Sequence, residues 1–556
     1  MKNRRVLSLA ICALALGFLG AGCGSSSSRT TPGSTVPLTT THALVAWNDL
    51  GMHCLDNSYS VFAILPPYNN LHVQIVDRST GSVVTSGVTI TYEATPDTRG
   101  SVNSTSVGKS DFWDWVKALF GATLAPNMGL AGNPAPGMTP SPLAYDNTRG
   151  FWKAEGIPIL PTDDAGQPNY YPMVKVVAKN SRGDVLASTM TVLPVSNEMS
   201  CTGCHTSGGG ADAMPAGGWV FDNNAERDWK LNILRIHDEK NFGDPSNAPV
   251  YAAALSVGLY NASGLENTVR LDGRPVLCAA CHASNALGTP GAAGVKPLTE
   301  AVHSWHAHVI QDATGLPLDN GADRTACYCC HPGSVTQCLR GVMGNAADAA
   351  GNPLIQCQSC HGTMSAVGAS TRRGWIDLPD CSGCHYPDAA TGAYVRDNTT
   401  LAPGGGFRPA AGDFASPGLY KVSAGHGAIQ CEACHGPTHA EYACSEANDN
   451  VQTTALQGYP GKIAECEVCH VPVPLTKSGG PHGLHTIGQS WVAAHGRYAQ
   501  ADPLHCETCH GTDFRGTFLS AASASRTFTM GSHGVATLAR GGKVGCYSCH
   551  NGPGGW

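Results

Sequence analysis

The sequence predicts a multidomain chain with two unlike parts. Residues 42–200 read as an all-β, sandwich-like unit, and residues 201–556 as a loop-rich region with short helices. Three observations carry this reading. Before residue 200, runs rich in valine, isoleucine and threonine alternate between apolar and polar positions and are separated by turn residues, as in half-buried strands. After residue 200, Cys-x-x-Cys-His occurs nine times. Across the chain, 67 glycines and 36 prolines accompany an aromatic content of 7%, so large side chains alone do not supply an ordinary core.

Composition removes several classes. With 42% hydrophobic residues, disorder throughout is excluded. Charged residues make 13%, about half the usual share. The net charge of −7 lacks the basic surface that a nucleic-acid binder needs. No apolar run after residue 22 is long enough to span a bilayer.

The elements follow in order. Met1-Lys2-Asn3-Arg4-Arg5 precedes an apolar run from Val6 to Leu19, the pattern of an export signal. It ends Leu19-Gly20-Ala21-Gly22-Cys23, which resembles a bacterial lipoprotein signal over residues 1–22, with Cys23 as the lipid-bearing residue. Ordinary cleavage near Ala21 is the alternative. Residues 23–41 are a Ser/Thr/Pro tether. Glycine at position 24, where an aspartate retains such proteins at the inner membrane, implies by the same resemblance an outer-membrane lipoprotein. Within 42–200, two strands at 71–76 and 83–92 flank a turn at 77–81. A second pair at 173–178 and 185–192 flanks a turn at 180–184. Between them lie a helix near 112–120 and a Pro/Gly-rich excursion over 123–171, read as an insertion. The stretch Trp47 to Cys54 reads as a turn carrying a disulfide cysteine, or as a metal contact.

The nine motifs begin at Cys201-Cys204-His205, Cys278-Cys281-His282 and Cys327-Cys330-His331. They continue at Cys357-Cys360-His361, Cys381-Cys384-His385 and Cys431-Cys434-His435, and end at Cys466-Cys469-His470, Cys506-Cys509-His510 and Cys546-Cys549-His550. The chain's own frequencies predict about 0.04 such matches by chance. This is the attachment motif of c-type haem. The two thiols form thioethers to the vinyl groups, and the adjacent histidine binds the iron. One copy alone also fits a redox dithiol or half a zinc site; nine in an exported chain do not. On these motifs residues 201–556 resemble an outer-membrane or extracellular multihaem c-type cytochrome of the kind found in metal-reducing bacteria.

The spare histidines decide what such irons can do, because an iron bound by histidine on both faces is closed to substrate. Nine of 23 histidines belong to motifs. Eleven more lie in the motif region: His237, His303, His306, His308, His426, His439, His482, His485, His495, His505 and His533. The sixth-ligand tally gives His237, His303, His306 and His308 to the four motifs from Cys201 to Cys360. It gives His426, His439, His482, His495 and His533 to the five from Cys381 to Cys549. His485 is an alternative to His482, and His53 to any member of the 303–308 cluster. His303 and His306 share one side of a helix, which His308 leaves, so they serve different irons. Met343, Met364 and Met530 are the methionine alternatives. Outside the motifs, Cys54, Cys329, Cys338 and Cys444 remain in the mature chain, enough for two disulfides with three connectivities.

The expectation is an electron carrier with nine haems c, without a catalytic residue set. The resemblance implies electron relay at the cell envelope toward extracellular acceptors such as metal oxides. It also implies periplasmic or outer-membrane cytochromes as partners, a porin-type outer-membrane partner, and a membrane tie through the lipid. The alternatives are a multihaem reductase of nitrite, hydroxylamine or tetrathionate, and a subunit of a conducting filament.

Overall fold

The structure, a computed structural model, describes residues 40–308, 317–378, 385–387, 394–396, 420–473 and 485–552, apart from residues 322, 349, 502, 518, 519 and 523. The signal, Cys23 and nearly all of the tether lie outside the described residues, as do Cys381, Cys384 and His482.

The N-terminal strands are β1 (His42–Trp47), β2 (His53–Cys54), β3 (Phe62–Ala63), β4 (Asn69–Asp77), β5 (Ser82–Val83), β6 (Val88–Thr95), β7 (Ser141–Pro142), β8 (Ala144–Asp146), β9 (Phe151–Ile157), β10 (Met173–Asn180), β11 (Val185–Val192) and β12 (Val195–Ser196). β2 pairs in parallel with β12, and β3 in parallel with Val276–Leu277; the other nine form two antiparallel sheets. One has the order β1-β4-β9-β8, with β5 on the end of β4; the other is β11-β10-β6-β7. Leu44, Leu71 and Ile75 of the first sheet and Ile90, Tyr92 and Val176 of the second share one core, each almost fully buried. Burial of side chains this size contributes about 1.5–3 kcal/mol each.

Two expectations change. The segments at 71–76 and 83–92 do not pair as a hairpin. After a two-residue pairing of β5 with β4, the chain turns at Gly87 (φ +74°) and β6 joins β10 in the opposite sheet. The excursion at 123–171 is no separate insertion, because it supplies β7 to one sheet and β8 and β9 to the other. Phe151, Ala154 and Ile157 of β9 are buried at every third position, because the pairing with β4 breaks register near Asn69. A strict period of two does not reveal that strand. The hairpin at β10–β11 and the helix Phe112–Phe120 fall where the sequence placed them.

The outer face of β1 is covered too. Ala43, Val45 and Trp47, with Val76 and Phe151, pack against Ala433, Leu456 and Val468 from far along the chain. Gln452 clamps the same strand, accepting from Ala46 N at 2.8 Å and donating to Ala46 O at 2.9 Å. This is why residues 43–47 show no alternation.

After residue 201 the expected scarcity of regular structure has one exception. Helices Ala225–Gly243, Ala248–Val257 and Leu265–Arg270 build a small core from Trp229, Leu234, Tyr251, Leu255 and Val269, together with Val61 and Phe62. The first is capped by Asn224, whose side chain accepts from Glu226 N and Arg227 N. The fully buried Lys230 ties this core to the β unit, donating to Asp56 at 3.1 Å and to the carbonyls of Ser58 and Phe62. Beyond Leu277 the described residues form no comparable core of their own.

Residues 338–345 and 439–450 are held together by a buried bidentate pair. Arg340 Nε and Nη2 donate to Asp449 at 2.6 and 2.8 Å, and the guanidinium lies over Tyr171. Asp449→Ala leaves a guanidinium without its anion in the interior. It is expected to cost about 3–5 kcal/mol by chemical denaturation, with much of the loss recovered in Arg340→Met/Asp449→Leu. A loss under about 1 kcal/mol in Asp449→Ala contradicts the burial argument.

Candidate functional site

Each described motif occupies a single helical turn. The histidine N–H closes onto the carbonyl of the first cysteine, at 3.0 Å for His205, His282 and His361, 2.9 Å for His331, and 2.8 Å for His470 and His550. This turn sets both thiols and the imidazole on one side of a short rigid element. Burial pushes the thiols of Cys201, Cys278, Cys434 and Cys469 up to about 12, whereas the hydrogen bond from Cys327 lowers Cys357 to about 7. Among the described residues no three His, Cys, Asp or Glu side chains converge as a metal cage.

Histidines converge in pairs. Seven pairs place one motif histidine opposite one non-motif histidine, with ring centres 5.7–6.4 Å apart. They are His205–His306, His282–His237, His331–His303, His361–His439, His470–His426, His510–His485 and His550–His495. Two imidazoles bound through Nε2 to one metal, at roughly 2 Å each, have ring centres about 6 Å apart.

The far edges of the rings are tied down. Nδ1 donates to a backbone carbonyl in His282 (Lys296), His303 (Thr299), His306 (Val302), His485 (Thr486), His495 (Val492) and His510 (Val544), all at 2.7–2.8 Å. A proton fixed on Nδ1 leaves Nε2 with its lone pair, the form that binds metal. Burial favours the same neutral state. It lowers His205, His237, His331 and His485 to about 4 and His361 to about 3, and depresses His282, His303, His439 and His510.

Five of the pairs, and His306 of a sixth, but not the His282–His237 pair, line one continuous cavity of about 1840 Å³, against roughly 300–1,000 Å³ for a small-molecule pocket. It meets at least one cysteine of the motifs at Cys201, Cys327, Cys357, Cys431, Cys466, Cys506 and Cys546. Neighbouring motifs touch in a definite order. Cys278 and Cys201 pack on the same helical core. Ser200 N donates to Cys330 O at 3.2 Å, and the Cys327 and Cys357 thiols share a hydrogen bond. His439, from the loop after the Cys431 motif, faces His361. Ile463 N donates to Cys434 O at 2.8 Å, linking the Cys431 and Cys466 motifs. Cys466 meets Ile487, two residues beyond His485, which faces His510; Cys546 N donates to Phe514 O at 2.9 Å. Among the described motifs the neighbour order is therefore 278, 201, 327, 357, 431, 466, 506, 546, with the first two exchanged relative to the chain.

The haem that the motifs imply fits this donor set. Paired thiols and one imidazole stand on one side of a wide cavity, and a second Nε2 stands opposite. Arg372 and Lys462 line the cavity, and burial lowers the pKa of both, so they suit the carboxylates of a haem. The chain matches no protein-family model, no curated protein and no solved structure.

The structure distributes the expected second ligands differently from the sequence tally. His439 meets a motif of the first group rather than one from Cys381 onward. His485, the alternative to His482, is the one facing His510. His308 is exposed past the end of helix Leu298–His306, and among the described residues no ring pair includes it. His303 and His306 do go to different motifs. The side chains of His385, His505 and His533 lie outside the described residues, and the Cys381 and Cys431 motifs are not part of the set of seven. His53 is held by Asp49 at 3.0 Å and packs on Tyr68, away from the pairs. Met343, Met364 and Met530 line the cavity. Cys54, Cys329, Cys338 and Cys444 are thiols here, with Cys338 Sγ 3.5 Å from His439 Nδ1. Sequence reading had no means of choosing between His482 and His485, because they stand only three positions apart and both precede the motif.

His485→Ala is expected to convert about one haem of nine in the purified ferric holoprotein from low spin to high spin, while His308→Ala leaves the spectrum unchanged. The reverse result contradicts the pairing.

Proposed function

We propose that this chain is an electron-transfer multihaem c-type cytochrome that relays electrons at the cell envelope toward extracellular acceptors. The observation that carries the reading is the set of seven imidazole pairs, each joining a Cys-x-x-Cys-His histidine to a histidine from elsewhere in the chain. Held between two imidazoles, a haem supplies a one-electron ferric/ferrous couple with no coordination position left for substrate.

The residues contribute three things to this chemistry. The motif cysteines fix the group covalently, so no dissociation interrupts a relay. The Nδ1 bonds to backbone carbonyls hold six of the paired rings, those of His282, His303, His306, His485, His495 and His510, in their ligating tautomer through a redox cycle. The contacts between neighbouring motifs, from Cys278 through Cys201 to Cys546, favour transfer over catalysis at one isolated centre. A reductase needs an open metal position, and the seven paired sites do not offer one.

The location belongs to the same proposal. The basic-apolar leader ending at Cys23 supports an outer-membrane lipoprotein. Nine haems bring eighteen propionates to a chain already at −7, which favours cationic or metal-bearing partners such as metal oxides, besides other cytochromes.

Intact mass spectrometry of the denatured mature protein is expected to show nine covalent haems. Seven or fewer mean that some motifs go unused, and none removes the reading altogether.

A further inference from the structure

The β unit reads as a cap on the motif region. Its contacts with one imidazole pair are closer than a cap requires. Strand β4 and the turn that follows it touch the His426–His470 pair from both ends. Gln74, fully buried on β4, donates from Nε2 to Ala428 O at 3.0 Å and accepts from Gln430 N at 2.9 Å, which fixes the backbone just after His426. Arg78 Nη2 donates to Glu467 O at 2.7 Å, and Arg78 O accepts from Val471 N at 2.7 Å, which brackets His470 from both sides.

Gly81 completes the turn, with its N–H on Asp77 O at 2.8 Å and φ at +69°. It is pressed against the ring. A Cβ placed there would stand 2.5 Å from His470 Nδ1 and overlap Cε1, while Nε2, at 3.4 Å, is the ring atom farthest from it of the three nearest. Glycine is thus required twice, once by the backbone angle and once by the imidazole edge. Gly87, six residues on, has the same need for positive φ at +74°, but a Cβ there meets nothing within 4 Å.

We propose that Gly81 is a positioning residue for the Cys466 site. The β4 turn forms the wall that sets the His470 ring, and Gln74 sets the opposing His426, so the β unit is part of this site rather than a cover over it. This rests on the cytochrome reading. A methyl group at position 81 pushes His470 off its axis and lengthens or breaks one iron–imidazole bond, without touching any other pair.

The test compares Gly81→Ala with Gly87→Ala in the full-length holoprotein. Both carry the same backbone strain, and only one carries the overlap. The expected result is a new high-spin ferric component of about one ninth of the haem in Gly81→Ala, with a matching change confined to one step of the redox titration, and neither in Gly87→Ala. Adding His426→Ala to Gly81→Ala is expected to leave the component at one ninth, since both act on one iron; growth to two ninths overturns the proposal. If Gly81→Ala cannot be isolated, Gln74→Ala frees the Ala428–Gln430 loop without adding atoms and is expected to give the same component. An unchanged ferric spectrum in the variant isolated, or equal spectra for Gly81→Ala and Gly87→Ala, overturns the proposal. Wild-type protein without haem overturns instead the reading on which it rests.

Discussion

The region after residue 200 is organised by pairs of imidazoles about 6 Å apart, six of whose rings are tied at the far edge to a backbone carbonyl. Beyond Leu277 the described chain buries little apolar surface of its own, and its helices are mostly single turns. Helices that short are not stable by themselves. On the proposed haem reading, what gives them fixed positions is that two rings, 25 to 101 residues apart in the chain, face one another with one iron between them. His205 with His306 and His331 with His303 show how this works. One helix, Leu298–His306, offers rings to two different motifs and so locks those motifs beside each other.

The β unit supplies what the motif region lacks. Its two sheets have a conventional core, and its outer face gives Ala433, Leu456 and Val468 an apolar wall. Buried polar ties then fix the angle of approach. Gln452 grips β1, Lys230 reaches Asp56, and Gln74 and Arg78 grip the loops on either side of the His426–His470 pair. Each tie satisfies backbone groups that would otherwise be buried without partners. The boundary near residue 200 is therefore a change in architecture, while the interior runs across it.

Much of this was legible in the sequence. The motifs, the number of spare histidines, the helix at 112–120 and the hairpin of β10 and β11 are local patterns, and local patterns survive folding. The partner of each ring was not legible. His439 follows its own motif histidine by four residues yet faces His361, because the bidentate Arg340–Asp449 pair and the bonds from Arg340 N and Gly341 N to His439 O draw that loop toward the earlier segment. Strand β9 was hidden because its register breaks at Asn69, and the helices at 248–257 and 265–270 were hidden by alanine-rich or short apolar patterns. Gly81 looked like any turn glycine. Only the ring beyond it, from 389 positions later in the chain, distinguishes it from Gly87.

The central claim is that the facing imidazoles are the two axial ligands of haem irons. Near-infrared magnetic circular dichroism of the purified ferric holoprotein tests it most directly, because the charge-transfer band reports which side chains bind the iron. At least seven of the nine haems should carry the bis-imidazole signature. A spectrum dominated by high-spin or histidine–methionine irons would contradict the account.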